Sequence, residues 1–136
     1  MSRARDLADV WNTGQLVDIT SSFTRSSTWT KSGTERVLHD PSSGLVYYNL
    51  GLYIDATDSA SGSGEQDEWL QPLDNEVIYT IASAYRPSEQ FITSTITGVY
   101  DNTVVAFASN GDVTVSDPQN WVGARFRIYI NGWYKI

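Results

Sequence analysis

From residue 15 onward, apolar and polar residues alternate with a period close to two, which is the spacing expected of β-strands. The first such stretch, QLVDITSSFT (15–24), predicts a single strand. Its residues would divide between two faces, with Leu16, Asp18 and Thr20 on one and Val17 and Ile19 on the other. Further along, Ser32-Gly33 between Trp29 and Val37 predicts a hairpin or loop.

The middle of the chain departs from this alternation twice. Residues 44–55, GLVYYNLGLYID, are almost continuously apolar, which predicts a strand that is covered on both sides or lies in a subunit interface. Residues 56–68, ATDSASGSGEQDE, consist mainly of serine, glycine and acidic residues. Such a composition predicts an exposed, flexible loop.

The C-terminal half has the clearest strand and turn signals. Residues 76–85 and 90–99 each predict a strand. Residues 103–116, TVVAFASNGDVTVS, predict a hairpin in which Asn110 and Gly111 occupy the two positive-φ positions of a type I′ turn.

The final stretch, GARFRIYINGWYKI (123–136), alternates throughout its first half. The side chains expected to point inward are those of Ala124, Phe126, Ile128 and Ile130. Those expected to point outward are the side chains of Arg125, Arg127, Tyr129 and Asn131. Asn131-Gly132 predicts a turn that folds the last few residues back.

Taken together, roughly seven to nine short strands separated by turn signals predict an all-β protein. We expect an antiparallel β-sandwich or jelly-roll-like domain spanning residues 15–136. Residues 1–14 carry the one helical pattern, in which Leu7, Val10 and Trp11 share a face. This short helical or extended segment would either pack on its own domain or serve as an anchoring arm on a neighbouring subunit or larger assembly. The residues of such an assembly arm would be Arg3, Arg5, Leu7, Val10 and Trp11.

Composition narrows the classes of partner. The chain has 136 residues, a formal charge of -7 and no cysteine. The negative charge argues against binding nucleic acid, and the absence of cysteine excludes a disulfide framework. No apolar stretch approaches the length of a membrane span, so we expect no membrane insertion.

Residues with catalytic or metal-binding chemistry are sparse. The single histidine, His39, lies in a polar turn without a nucleophile motif, and one histidine does not make a zinc site. Two carboxylate pairs, Asp67 with Glu68 and Asp55 with Asp58, border the predicted flexible loop, whereas catalytic carboxylates need rigid placement. The same acids lack the regular spacing of a calcium loop. We therefore expect no enzyme activity, no bound metal and no cofactor.

Aromatic residues are the more informative group. The set exceeds what one small core can absorb and comprises Tyr47, Tyr48, Tyr53, Tyr85, Trp121, Tyr129, Trp133 and Tyr134. Because tryptophan and tyrosine combine an apolar ring with a polar group, they suit interfaces and sugar stacking as well as cores. Core packing, subunit contact and a carbohydrate-binding surface are all consistent with this set.

A tight turn, AYRPS, follows the strand at 76–85, and its proline fixes φ and ends that strand. The segment from 72 to the end resembles the compact β-sandwich heads of tailed-bacteriophage virion proteins, such as tail-fibre tips and receptor-binding proteins. The matching positions are Tyr85, Arg86, Pro87, Ser88, Gly111, Val113 and Val115. Ala84 stands where that family usually has glycine. The opening SRARDLAD is also similar to the starts of small phage virion proteins.

The resemblance implies a virion-surface protein made in the host cytoplasm and assembled as a homotrimer. The residues expected at the subunit interface are Tyr47, Tyr48, Leu50, Tyr53, Tyr85 and Arg86. Those expected to contact a glycan or partner are Trp121, Tyr129, Trp133 and Tyr134. A capsid-decorating or cement protein is the leading interpretation, because only a short arm precedes the strands. The alternative is a tail-fibre or receptor-binding tip that attaches to host-surface glycan. In either case its partners would include a major capsid protein or a tail or baseplate protein.

Overall fold

A computed structural model of the chain describes residues 16–55, 75–93, 95–97, 104–116 and 125–136. It contains ten strands: β1 Val17–Asp18, β2 Phe23–Arg25, β3 Thr30–Asp40, β4 Leu45–Asp55, β5 Glu76–Ile81, β6 Phe91–Thr93, β7 Thr95–Thr97, β8 Val104–Phe107, β9 Asp112–Ser116 and β10 Arg125–Lys135. Among these described residues, two single-turn 3-10 helices span Thr20–Ser22 and Ser83–Tyr85. The predicted arm at 1–14 and the predicted loop at 56–68 lie outside the described residues.

The strands form two five-stranded antiparallel sheets. Sheet A has the order β1-β3-β4-β10-β7, and sheet B has the order β2-β5-β9-β8-β6. Each sheet presents one apolar face to the other, as expected when two sheets must bury their hydrophobic residues against each other. The prediction of an all-β antiparallel sandwich is confirmed, whereas the jelly-roll detail and the trimer stay predictions.

The core lies between the sheets and is formed by alternate residues of the longer strands. On β4 and β10 the buried residues are Val46, Tyr48, Leu50, Leu52, Ile54, Ile128, Ile130 and Tyr134. Facing them from sheet B are Ile78, Tyr79, Ile81, Val105, Phe107, Val113 and Val115. The two consecutive buried residues Ile78 and Tyr79 reflect an irregularity in the β5–β9 register, since a β-bulge turns an extra residue towards the core.

Strand β4 is the centre of sheet A, paired with β3 on one side and β10 on the other. Its even-numbered residues from Val46 to Ile54 are buried, whereas Tyr47 and Asn49 are exposed. The interpretation that β4 is covered on both sides within one chain was therefore wrong. The sequence looked continuously apolar because tyrosines and a glycine occupy much of the outward-facing side.

The stretch 15–24 does not form the single strand that its alternation predicted. Asp18 accepts hydrogen bonds from the backbone N–H and the hydroxyl of Thr20, at 3.0 and 2.6 Å. The hydroxyl of Thr20 in turn accepts a bond from the backbone N–H of Val37. These local bonds compete with strand pairing and favour a 3-10 turn. The turn moves the chain from β1 in sheet A to β2 in sheet B.

Gly33 does not lie in a hairpin, contrary to the prediction. It has a φ of 73° and lies within β3, where the register with β4 shifts between Lys31 and Glu35. A glycine with positive φ is typical of a β-bulge, which bends the strand without ending it.

The hairpin predicted around Asn110-Gly111 is confirmed, but its turn type differs. Gly111 has a φ of 99°, and Asn110 is not among the residues with positive φ. The N–H of Gly111 donates to the carbonyl of Ala108, and the N–H of Ala108 donates to the carbonyl of Asp112. This pattern fits a type I turn followed by a glycine bulge, which is the usual form of a three-residue hairpin loop.

The strands predicted at 90–99 and 123–136 also differ in detail from those in the structure. Residues 91–97 change sheets, because β6 pairs with β8 in sheet B and β7 pairs with β10 in sheet A. Asn131-Gly132 makes no turn: β10 continues to Lys135, which pairs with Leu45. The predicted alternation along β10 is confirmed for Ile128 and Ile130 inside and Arg127, Tyr129 and Asn131 outside. Ala124 lies outside the described residues, as do the side chains of Arg125 and Phe126.

Candidate functional site

The outward-facing side of sheet A, which we call the outer face, carries an unusual set of side chains. Among the described residues, the large aromatic side chains that are exposed are Tyr47 (39%), Tyr129 (39%) and Trp133 (62%). All three lie on this face, because their neighbours along β4 and β10 are buried on the other side. Clustered exposed aromatic rings are typical of binding surfaces.

The antiparallel register arranges the outer face in three rows across β4 and β10. Trp133 lies opposite Tyr47, Asn131 opposite Asn49, and Tyr129 opposite Gly51. Directly opposite side chains in a sheet are neighbours, with Cβ atoms about 5 Å apart. An amide row therefore separates two aromatic rows, and Tyr129 and Trp133 are about 13 Å apart along the strand.

Tyr129 packs closely against Gly51 of the neighbouring strand. A Cβ atom at Gly51 would lie 3.0 Å from two carbons of the Tyr129 ring and 2.0 Å from the carbonyl oxygen of Ser32. Only a glycine leaves room there for the ring to lie over the strand. The hydroxyl of Tyr129 is also within hydrogen-bond distance, 3.0 Å, of the hydroxyl of Ser32. The ring and the hydroxyl of Tyr129 are thus both in contact with neighbouring strands, while the side chain stays 39% exposed.

The central row continues onto β3, where Arg36 pairs with Asn49. Asn49, Asn131 and Arg36 are exposed. Within the described part of the chain, these three side chains form no hydrogen bond, and the charge of Arg36 acts on the nearby Asp18 carboxylate. Together they offer amide donors and acceptors beside a planar cation.

The outer face carries charges of both signs. Arg36, Arg127 and Lys135 are exposed there. The carboxylates of Asp18 and Asp40 lie at its margin and are ionised, and the charge of Arg36 acts on Asp18. Hydrogen bonds from Thr20 hold the pKa of the Asp18 carboxyl below its usual value, and those from Ser42 and Ser43 do the same for Asp40.

Three residues predicted as contacts lie in the core instead. Tyr48, Leu50 and Tyr134 are each at most 5% exposed, so they cannot offer a surface to a subunit or a glycan. The hydroxyl of Tyr134 donates to the carbonyl of Tyr85 at 2.5 Å, and the Tyr48 hydroxyl pairs with that of Thr93 at 2.7 Å. Burial raises the pKa of both tyrosines. The sequence was misleading here because aromatic content alone does not tell which side of a strand a tyrosine occupies.

The turn Tyr85–Ser88 is a corner that bonds to its own chain. Arg86 donates from Nε to the carbonyl of Ile81 at 3.1 Å, and Pro87 is buried. The ring of Tyr85 packs against the edge of His39, with centroids 5.3 Å apart. The N–H of Ser88 donates to the carbonyl of Lys135. Tyr85 and Arg86 are half-buried, and these contacts account for both without a subunit neighbour.

Of the other predicted contacts, Tyr53 is half-buried on β4 and Trp121 lies outside the described residues. Asp58, Asp67 and Glu68 lie outside them as well. In the described portion, no group of three or more His, Asp or Glu side chains could hold a metal ion. No helix in that portion is long and apolar enough to cross a membrane.

One polar cluster was missed from the sequence. The carboxylate of Glu35 accepts a hydrogen bond from the Tyr79 hydroxyl at 2.9 Å and pairs with Arg25 at 3.6 Å. Burial raises the pKa of Tyr79, and the bond to Glu35 raises it further. The three residues come from β5, β3 and β2, so no local sequence signal could have joined them. The cluster ties the two sheets together.

Comparisons with known proteins give no further guide. The chain shows no significant match to protein-family models, to curated proteins or to solved structures. The resemblance to phage virion proteins therefore rests on the short motifs quoted above.

Proposed function

We propose that this chain acts by adhesion, as a structural protein on the surface of a tailed-phage virion. The observation that carries the proposal is the outer face, on which Tyr47, Tyr129 and Trp133 are exposed together on one rigid sheet. Aromatic rings carried on a hydrogen-bonded sheet suit binding, because the backbone that holds them is already ordered before a partner docks.

Within that function, decoration of the capsid is the leading candidate. The amphipathic pattern at 1–14 would supply an anchor on the shell. The sandwich would then project outward as a knob, and by the resemblance three copies would surround a threefold axis. With Tyr48 and Leu50 in the core, Tyr47 and Tyr53 are the residues of β4 left for contact between copies.

Attachment to the host is the second candidate. The pattern of the outer face favours it, since two aromatic rows flank the amide row of Asn49 and Asn131. Rings that stack and amides that hydrogen-bond are the groups with which proteins hold polar, ring-shaped ligands.

Immunogold electron microscopy of purified virions tests the proposal. Antibody raised against the full chain should label intact particles, on the head for a decorating protein and on the tail or baseplate for an attachment protein. Absence of label from particles that retain all their structural proteins would overturn the proposal. Light scattering of the purified chain tests the trimer separately.

A further inference from the structure

We infer that the outer face joins neighbouring copies of this chain, packed face to face across a twofold axis that runs along β4. The inference rests on the leading form of the proposed function and names a partner for the outer face: a second copy in the adjoining knob. The threefold contact that the resemblance implies is left to other surfaces of the knob. Three features carry the inference: the register of sheet A, the charges of both signs and the area of the face.

The register shows which residues such an axis would bring together. Half a turn about the line of β4 places β4 over its own copy and β10 over β3 of the partner. This is because β3 and β10 flank β4 at equal distances of about 4.8 Å. Rows across the sheet are preserved by the rotation. The facing residues therefore follow from the pairings of β4 with β3 and with β10.

Opposite charges meet at one end of this contact. Lys135 and Asp40 share a row, since both pair with Leu45, one from β10 and the other from β3. Lys135 would lie over the partner's Asp40, and the symmetry makes this ion pair twice. The Asp40 carboxyl is an anion at neutral pH, because hydrogen bonds from its own turn lower its pKa.

The polar row is self-complementary under the same rotation. Asn49 would lie over the partner's Asn49, and Arg36 over the partner's Asn131, since Asn49 pairs with both residues in the register. An amide has donors and an acceptor, so each of these groups would face one to which it can bond. Arg36 would still act on Asp18 of its own chain. Burial of the polar row would therefore leave its groups with partners.

The row that contains Tyr47 supplies the apolar part of the contact. Tyr47 would lie over the partner's Tyr47, and Trp133 over the partner's Leu38. Trp133 is 62% exposed and Leu38 is half-buried in a single copy, so both would lose contact with water. Exposed aromatic residues are enriched at protein interfaces for this reason.

The area of the face predicts weak association in solution. Strand β4 has 11 residues and is about 36 Å long, and three strands are about 14 Å wide, which gives about 500 Å² per copy. The total of about 1,000 Å² is below the 1,200–2,000 Å² or so of stable complexes. The formal charge of -7 on each chain opposes association further. We therefore expect separate copies in dilute solution and contact where a shell holds them close together.

Sedimentation equilibrium of the full chain tests the association. Between about 10 μM and 1 mM protein, the mean mass should rise with concentration. Trp133→Ala should weaken association about tenfold through lost apolar contact, and Lys135→Glu by at least as much, because two like charges would face Asp40. Ile92→Ala, an exposed residue of sheet B, is the matched control and should change nothing. Circular dichroism confirms that each variant folds.

Cross-linking with a carbodiimide, which joins an amine to a carboxylate, tests the orientation. An equal mixture of unlabelled and isotope-labelled chain separates links between copies from links within one copy, when the linked peptides are weighed by mass spectrometry. We expect Lys135 to be joined to Asp40 of the other label. The link should be lost in Trp133→Ala and kept in Ile92→Ala.

A mean mass that stays constant up to about 1 mM overturns the inference. So does association that both Trp133→Ala and Lys135→Glu leave unchanged, or a link between Lys135 and Asp40 that forms only within one label. All three results leave immunogold labelling of the virion, and with it the proposed function, unaffected. Conversely, face-to-face association by a protein that is absent from the particle would overturn the proposed function alone.

Discussion

Two glycines of sheet A are each covered by an aromatic ring from the neighbouring strand. Gly51 of β4 lies beneath Tyr129 on the outer face, and Gly132 of β10 lies beneath Tyr48 on the inner face, where a Cβ atom would be 2.6 Å from the Tyr48 hydroxyl oxygen. Glycine within a strand usually weakens it, and the ring restores the lost packing. At the residue scale, these pairs explain why the single glycine of each strand lies directly opposite a tyrosine of the other strand.

Gly51→Ala should lower the free energy of unfolding by about 1–3 kcal/mol, since the added methyl group cannot fit beside the Ser32 carbonyl and the Tyr129 ring. Denaturant unfolding measures the change. Asn49→Ala, two residues earlier on the same face, is the control and should change the free energy by less than about 0.5 kcal/mol. Equal effects of the two substitutions would contradict the close contact at Gly51.

At the scale of elements, the tie between the sheets depends on Glu35. Its carboxylate, on β3, accepts a hydrogen bond from Tyr79 of β5 and forms an ion pair with Arg25 of β2. The Nη1 atom of Arg25 is buried and has no hydrogen bond in the described residues, so Glu35 is the charge that balances it. Removing that charge should therefore affect both sheets.

Glu35→Gln should destabilise the fold by about 1–2 kcal/mol, because a neutral amide no longer balances Arg25. It should also lower the pKa of Tyr79, since the bond and charge of Glu35 help to raise it. Chemical denaturation and the tyrosinate absorbance measure the two effects. Glu76→Gln is the matched control: glutamine still accepts the bond that the Trp29 indole donates to Glu76. A larger loss of stability for Glu76→Gln than for Glu35→Gln would show that Glu35 is not the residue that connects the two sheets.

Elements that depend on the local sequence were predicted well, whereas features that depend on neighbouring strands were not predicted. The alternation of Ile128 and Ile130 with Arg127 and Tyr129 fixed the faces of β10, and Gly111 marked the hairpin. The sequence could not show that residues 91–97 change sheets or that Gly33 makes a bulge, because both depend on the strands alongside. Of the site, Tyr129 and Trp133 were predicted as partner contacts and Tyr47 as a subunit contact, and only the β4–β10 register showed that the three share one face.

At the scale of the whole molecule, the sandwich buries three tyrosines whose pKa values are all raised above 10.0, the ordinary value for tyrosine. Burial is the main cause for Tyr48, Tyr79 and Tyr134. Each is therefore neutral in the folded state at a pH at which the unfolded chain would ionise it. The contribution of these neutral tyrosines to the free energy of unfolding is fully present below pH 10. It is lost as the pH rises through their raised folded-state pKa values.

We expect alkaline unfolding to be cooperative, with ionisation of the buried tyrosines accompanying loss of the circular dichroism signal. Parallel titration by tyrosinate absorbance and circular dichroism measures this. In Tyr79→Phe, the free energy of unfolding should fall less steeply above pH 10, because one group fewer ionises on unfolding. Ionisation of every tyrosine before any loss of structure would contradict the assigned burial.

The most direct test of adhesion through the outer face is hydroxyl-radical footprinting of the full chain, free in solution and assembled on purified virions. Oxidation of Tyr47, Tyr129 and Trp133 should fall in the assembled state, whereas oxidation of Ile92, 68% exposed on sheet B, should not change. Unchanged oxidation of the three aromatic residues, or protection confined to sheet B, would contradict the account.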